Sequence, residues 1–340
     1  MDKSKRLLEL DVFRGIAALG VVLFHYTSRY NELYGHSQEL LMSFPYGKKG
    51  VQLFFIISGF LILVSLERTK RSLDFIVGRF ARLYPAYWVA VILTFTIVAI
   101  AGLPGREVTW NEALFNLTMF QELFKVPHVD GAYWTLQIEL SFYLIMLILY
   151  QKKLLKYIES IAIGWLLLMA ITIGFESQNI LILPQTIKII FLLNYANFFI
   201  AGIMFYKIYQ QGVYFKTTAI IAACVFVYKL DHSWFSTLDL ALFFVAFYLM
   251  LRGSFAFINC KPLIFLGTIS YTLYLVHQNI GYVIIRTLDK TEINPHVIIF
   301  LALVLSIVIA TAITFLVEQP MLHFIKKQYK TRVLNKMALR

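Results

Sequence analysis

Gly50-Val51-Gln52-Leu53-Phe54-Phe55-Ile56-Ile57-Ser58-Gly59-Phe60-Leu61-Ile62-Leu63-Val64-Ser65-Leu66 contains no charged side chain. A helix crosses the hydrocarbon core of a bilayer with about 17–25 mostly apolar residues, so this stretch reads as a transmembrane helix. Nine others read the same way: 10–29, 84–102, 132–150, 158–175, 186–206, 214–230, 234–252, 263–286 and 296–317. Of these, 214–230 has the most ragged start, at Tyr214-Phe215-Lys216. Composition agrees. Of 340 residues, 59% are hydrophobic and 15% charged, and mean hydropathy is +0.72. Soluble domains hold about 45–50% apolar and about 25% charged residues. We therefore expect an all-α integral membrane protein of about ten transmembrane helices. We expect it to form one membrane-embedded domain over 1–340, with no fused extracytoplasmic domain. Arg14 and His25 inside the first stretch, and the lack of a small-x-small cleavage site, set that stretch apart from a signal peptide.

The formal charge of +12 fits basic cytoplasmic loops better than a nucleic-acid footprint, so no nucleic-acid partner is expected. With the N-terminus inside, 21 Lys and Arg fall in inner segments and nine in outer ones. The inner set includes Lys3, Lys5, Arg6, Lys326, Lys327, Lys330, Lys336 and Arg340. This bias predicts cytoplasmic termini and an inner-membrane location, with the longest outer segments at 30–49 and 103–131. Within the latter, Leu114 to Phe124 is apolar but too short to span. Cys224 and Cys260 cannot build a disulfide framework. CxxC, HExxH, Walker A and GxGxxG patterns are absent, so zinc, nucleotide and Rossmann chemistry lack support and no metal is expected.

Ionisable groups inside a bilayer are costly and mark function by default. Arg14 and His25 are eleven residues apart on the first stretch. On an α-helix that places them about 20° apart in azimuth and about 16 Å apart along the axis, with Arg14 in the inner layer and His25 in the outer one. Arg79 and Arg82, three apart, neighbour each other on one helical face. Pro85 follows and suits the opening of the third span. Guanidinium forks bind phosphate bidentately, although basic residues here also fit plain positive-inside charge. Glu139 lies about 10 Å, and His25 about 6 Å, from the outer ends of their spans. At those depths a carboxylate can orient an imidazole, or the two can form an ion pair that holds helices together. His277 lies deeper, in the ninth stretch, where packing is the plainer role. Ser58 sits mid-span beside Gly59, where a small residue allows close helix packing.

These residues sit in a pattern that resembles the acyltransferase 3 family of multipass membrane acyltransferases. The first match is Leu10-Asp11-Val12-Phe13-Arg14-Gly15-Ile16-Ala17-Ala18 with His25 eleven residues past the arginine. Phe54-Phe55-Ile56-Ile57-Ser58-Gly59-Phe60-Leu61 follows, then Phe75 to Pro85 with its paired arginines. Trp134-Thr135-Leu136-Gln137-Ile138-Glu139 comes next, then Ser270-Tyr271-Thr272-Leu273-Tyr274-Leu275-Val276-His277, and Glu318-Gln319-Pro320 closes the last span. One departure is Asn279, where the family often has proline. The resemblance implies an O-acyltransferase that moves an acyl group, most often acetyl, from cytoplasmic acyl-CoA to a hydroxyl of a surface or secreted glycan. Arg14, Arg79 and Arg82 would hold the donor phosphates. His25 would act as general base with Glu139 orienting it, and Ser58, Trp134, Tyr271 and His277 would line the substrate site. A second reading, a transporter or flippase of a lipid-linked glycan, explains the spans equally well, and a homo-oligomer stays open.

Overall fold

The structure, a computed structural model, describes residues 7–338. Lys3, Lys5, Arg6 and Arg340, counted above among the inner basic residues, lie outside the described residues, as does the side chain of Lys336. The described chain is helical, with no strand. In order its α-helices are α1 (Leu8–Phe24), α2 (Tyr30–Tyr34), α3 (Gly50–Glu67), α4 (Ser72–Ala101), α5 (Trp110–Asn116), α6 (Trp134–Gln151), α7 (Ile158–Ser177), α8 (Gln185–Ile190), α9 (Ala196–Gln211), α10 (Phe215–Lys229), α11 (Trp234–Leu251), α12 (Lys261–Val276), α13 (Gln278–Leu288), α14 (Pro295–Ile313) and α15 (Gln319–Ala338). Two π-helical turns are inserted, His25–Arg29 between α1 and α2, and Thr314–Glu318 between α14 and α15.

Among the described residues, six helical segments are long and apolar enough to cross a membrane: Pro45–Glu67, Ser72–Ala101, Gly131–Gln151, Leu154–Ser177, Trp234–Leu251 and Pro295–Val333. They cover the expected spans 50–66, 84–102, 132–150, 158–175, 234–252 and 296–317, and they mark a membrane protein. The other four expected stretches are built differently. The first continues through a π-turn to Tyr34. The sixth is interrupted, because Leu192 takes a left-handed φ of 56° between α8 and α9. The seventh is the 15-residue α10. The ninth divides at His277 into α12 and α13.

One expectation needs correcting. Pro85 does not open the third span but lies inside α4, where it removes one backbone hydrogen bond. The helix starts thirteen residues earlier, at Ser72, where Asp74 accepts from the Arg71 backbone N–H and pairs with its guanidinium at 2.9 Å. A carboxylate in the first turn offsets the helix dipole, so the chain is already helical when it reaches Arg79 and Arg82. The basic tail forms the helix α15.

By contacts the chain divides into two compact units. In the first (of the described residues, 7–14, 51–69 and 135–264), α7, α9, α10 and α11 pack on one another. Two glycines bring α3 and α9 together. A Cβ on Gly59 would lie 2.2 Å from the Phe199 carbonyl oxygen, and one on Gly202 would lie 2.0 Å from that of Ile56. In lipid, where apolar burial drives little association, such close backbone approach supplies the packing energy. Phe199 also stacks on Phe55 and Phe142, at centroid distances of 4.8 and 4.3 Å. In the second unit (of the described residues, 15–50, 70–134 and 265–338), α13 packs on α14, on α4 and on the π-turn that begins at His25, while α15 packs along α4.

Candidate active site

The second unit brings His25 and His277 into contact. His277 Nε2 lies 3.0 Å from His25 Nδ1, and the rings are 4.9 Å apart. His25 opens the π-turn, a form that recurs at functional sites. It turns Nδ1 back to the Val21 carbonyl at 3.0 Å. His277 is fully buried at the junction of α12 and α13, with Nδ1 2.8 Å from the Tyr274 carbonyl. The junction is clamped by Tyr26. Its hydroxyl donates to the His277 carbonyl at 2.7 Å and lies 2.7 Å from Ser306 Oγ. Only glycine fits opposite this hydroxyl, because a Cβ on Gly281 would come within 2.2 Å of it.

A strap at 129–133 is laced to the chain on both sides of His277. Asp130 accepts from the backbone N–H of Asn279 at 2.9 Å and of Ala132 at 2.8 Å. Asn279 Nδ2 donates to the Val129 carbonyl at 2.9 Å. The hydroxyls of Tyr133 and Tyr274 donate to the carbonyls of Leu275 and Ala132. Burial pushes the Asp130 carboxyl up to about 6, against the lowering effect of the two N–H donors. The lacing gives Asn279 a physical role. A proline there has no N–H to donate, so in this chain Asn279 ties the strap where proline could not.

The same unit holds a cationic cluster. Arg82 pairs with the fully buried Glu318, which stands in the second π-turn, and its guanidinium lies 6.0 Å from the Tyr271 ring. The Tyr271 hydroxyl donates to the Leu83 carbonyl at 2.9 Å, fixing the adjacent backbone of α4. Arg79 lies over the Phe75 ring. Lys326, on α15, is within electrostatic reach of Arg79, Arg82 and Lys330. Three planar or flexible cations grouped in this way suit a polyanion.

In the first unit Glu139 Oε1 accepts from Ser58 Oγ at 2.9 Å and from the Tyr143 hydroxyl at 2.5 Å. Both donors engage the same oxygen. Ser58 therefore orients Glu139, while the close packing next to it belongs to Gly59. Arg14 is half-buried on α1, and Trp134 is half-buried at the start of α6. Among the described residues, no three His, Cys, Asp or Glu side chains gather as a metal site.

Reading the sequence missed Tyr26, Asp130, Glu318 and Lys326. Lys326 was the most accessible of these, because its i,i+4 spacing from Lys330 puts two cations on one helical face. Glu318 was quoted as part of a motif without its charge being given a partner.

A family described as "Acyltransferase domain" matches residues 7–315. The acyltransferase MdmB of Streptomyces mycarofaciens is 29% identical over 149 residues, 41% of this chain and 38% of that protein. The exopolysaccharide production protein ExoZ of Rhizobium meliloti (strain 1021) is 35% identical over 109 residues, 29% of this chain and 33% of that protein. Nodulation protein 10 of Rhizobium leguminosarum bv. viciae is 30% identical over 126 residues, 31% of this chain and 33% of that protein. The chain thus spans about a third of the length of the curated relatives it matches. No solved structure matches it.

Proposed function

The chain belongs to this acyltransferase family, and from that premise we propose that it is an O-acyltransferase of the inner membrane. It moves an acyl group, acetyl first among them, from cytoplasmic acyl-CoA to a sugar hydroxyl of a surface or secreted glycan. The observation that carries the reading is that one unit holds both a cationic cluster suited to the donor phosphates and an imidazole pair suited to taking a hydroxyl proton. The name of ExoZ, a protein of exopolysaccharide production, supports a glycan acceptor. The span of the family match supports one acyltransferase domain. Arg79, Arg82 and Arg14 hold the donor, Tyr271 steadies the arginine segment, and Trp134 lines the substrate path. His25 is the base, and Glu139, presented by Ser58 and Tyr143, is the second catalytic residue.

The test is transfer of labelled acetyl from acetyl-CoA by membranes containing the protein, with glycan movement measured in parallel. Glycan movement without acetyl transfer would replace this reading with that of a flippase. A charge-assisted contact to phosphate contributes about 1.5–3 kcal/mol. Arg82→Ala is therefore expected to weaken binding of a non-transferable acyl-CoA analogue by roughly 10- to 150-fold, as read by titration of the purified protein. Unchanged affinity would remove Arg82 from the donor site.

We also read ten spans with both termini cytoplasmic. The shorter helices α1, α9, α10 and the pair α12–α13 supply the crossings beyond the six long ones. A cysteine placed in 103–131 should react with an impermeant reagent added to intact cells. Labelling of a C-terminal cysteine instead would invert the topology.

A further inference from the structure

Two carbonyl oxygens assign the protons on the histidine pair. A carbonyl oxygen only accepts. His277 Nδ1, 2.8 Å from the Tyr274 carbonyl, and His25 Nδ1, 3.0 Å from the Val21 carbonyl, therefore both carry hydrogen. In neutral His277 the lone pair is then on Nε2, the atom 3.0 Å from His25 Nδ1. His25 Nδ1–H is shared between the Val21 carbonyl and His277 Nε2, a three-centre bond. One neutral tautomer of His25 satisfies this arrangement, and it carries its lone pair on Nε2.

We propose that His277 is a positioning residue for acyl transfer, holding His25 in the Nδ1–H tautomer so that Nε2 is the base. The proposal rests on the reading of His25 as general base. In the step, the acceptor oxygen attacks the thioester carbon as its proton passes to His25 Nε2. The C–S bond then breaks, and the proton on Nε2 goes to the departing thiolate, giving free coenzyme A thiol and the ester. Through this cycle Nδ1–H stays in place. Its bond to His277 becomes charge-assisted while His25 is an imidazolium, so it is stronger in the transition state than before reaction. A neutral imidazole can do this without placing a charge beside the resting base, as a carboxylate would.

The geometry around His277 is fixed by more than its ring. Tyr26 holds its carbonyl, Gly281 leaves space for Tyr26, and the strap at 129–133 ties down Tyr274, Leu275 and Asn279 around it. His277 therefore touches the base and acts through it.

The experiment combines kinetics with nitrogen-15 NMR of histidine-labelled, purified protein, the His25 signals being assigned by their loss in His25→Ala. In the wild type, His25 should show a protonated Nδ1 and a bare Nε2. His277→Ala should lower transfer by about 10²-fold, the scale of a general base, with donor affinity unchanged, and should mix the His25 tautomers. His277→Gln, whose amide oxygen can take the place of Nε2 as acceptor, should recover most of the rate. Added to His25→Ala, the His277→Ala change should cost nothing more. A bare Nδ1 on wild-type His25 overturns the proposal and leaves the base reading standing. So does a His277→Gln protein that is folded, binds donor and is as slow as His277→Ala. Wild-type rates in His25→Ala would instead remove the base reading, whatever tautomer the spectra show.

Discussion

His25→Ala lowers acetyl transfer by about 10²-fold or more, the usual contribution of a general base, at unchanged protein level and nearly unchanged donor affinity. The split follows from where the ring sits. His25 Nδ1 is occupied by the Val21 carbonyl and His277, so only Nε2 is available for chemistry. That interaction gains strength only as the hydroxyl proton moves. His25→Gln fills a similar volume but cannot take the proton, so it should stay as slow as alanine. Single-turnover transfer, measured beside titration with a non-transferable analogue, checks both halves. A variant that loses donor affinity as badly as Arg82→Ala would move His25 into the donor site and leave Glu139→Gln as the next test for the base.

Glu318→Ala destabilises the protein by about 3–5 kcal/mol, the cost of removing one partner from a buried ion pair. Glu318 is fully buried, and its Oε2 has no hydrogen-bond partner among the described residues. Its favourable energy therefore comes chiefly through Arg82. Without the carboxylate, Arg82 stays on α4 beside Arg79 and Lys326 with its main counter-charge removed, and α15 packs on that same helix. Glu318→Gln keeps the shape and one acceptor and should fall between the two. Thermal unfolding of detergent-purified protein is the measurement. A wild-type midpoint for Glu318→Ala would mean that the pair is dispensable.

Much of this was legible in the sequence. Charge-free stretches mark helices because a bilayer admits little else, and six of the ten expected spans appear as long apolar helices. The polar residues in those stretches stood out for the same reason. The pairings were not legible. His25 and His277 are 252 residues apart, and Arg82 and Glu318 are 236 apart, and one sequence carries no trace of which distant residues meet. Pro85 misled because a proline at a helix start and one buried within a helix look alike until the capping by Asp74 is seen eleven residues upstream. Leu192 gave no warning, since a left-handed leucine has no signature in an apolar run. His277 was read as packing on depth alone, whereas one ring nitrogen on the Tyr274 carbonyl and the other on His25 give it a directional role.

The π-turns at His25–Arg29 and Thr314–Glu318 also set how the gene can change. Each is an α-helical turn with one residue added. Substitutions within it alter a side chain, but deleting one residue lets the turn close to α. The flanking helices keep nearly the same rotation, because the wider turn had absorbed the added residue, but the side chains inside the window lose their bulged positions. At the first turn this would swing His25 away from His277, and at the second it would swing Glu318 away from Arg82. Single-codon deletions in these two five-residue windows should therefore be far more damaging than the same deletions in the 36–44 connection.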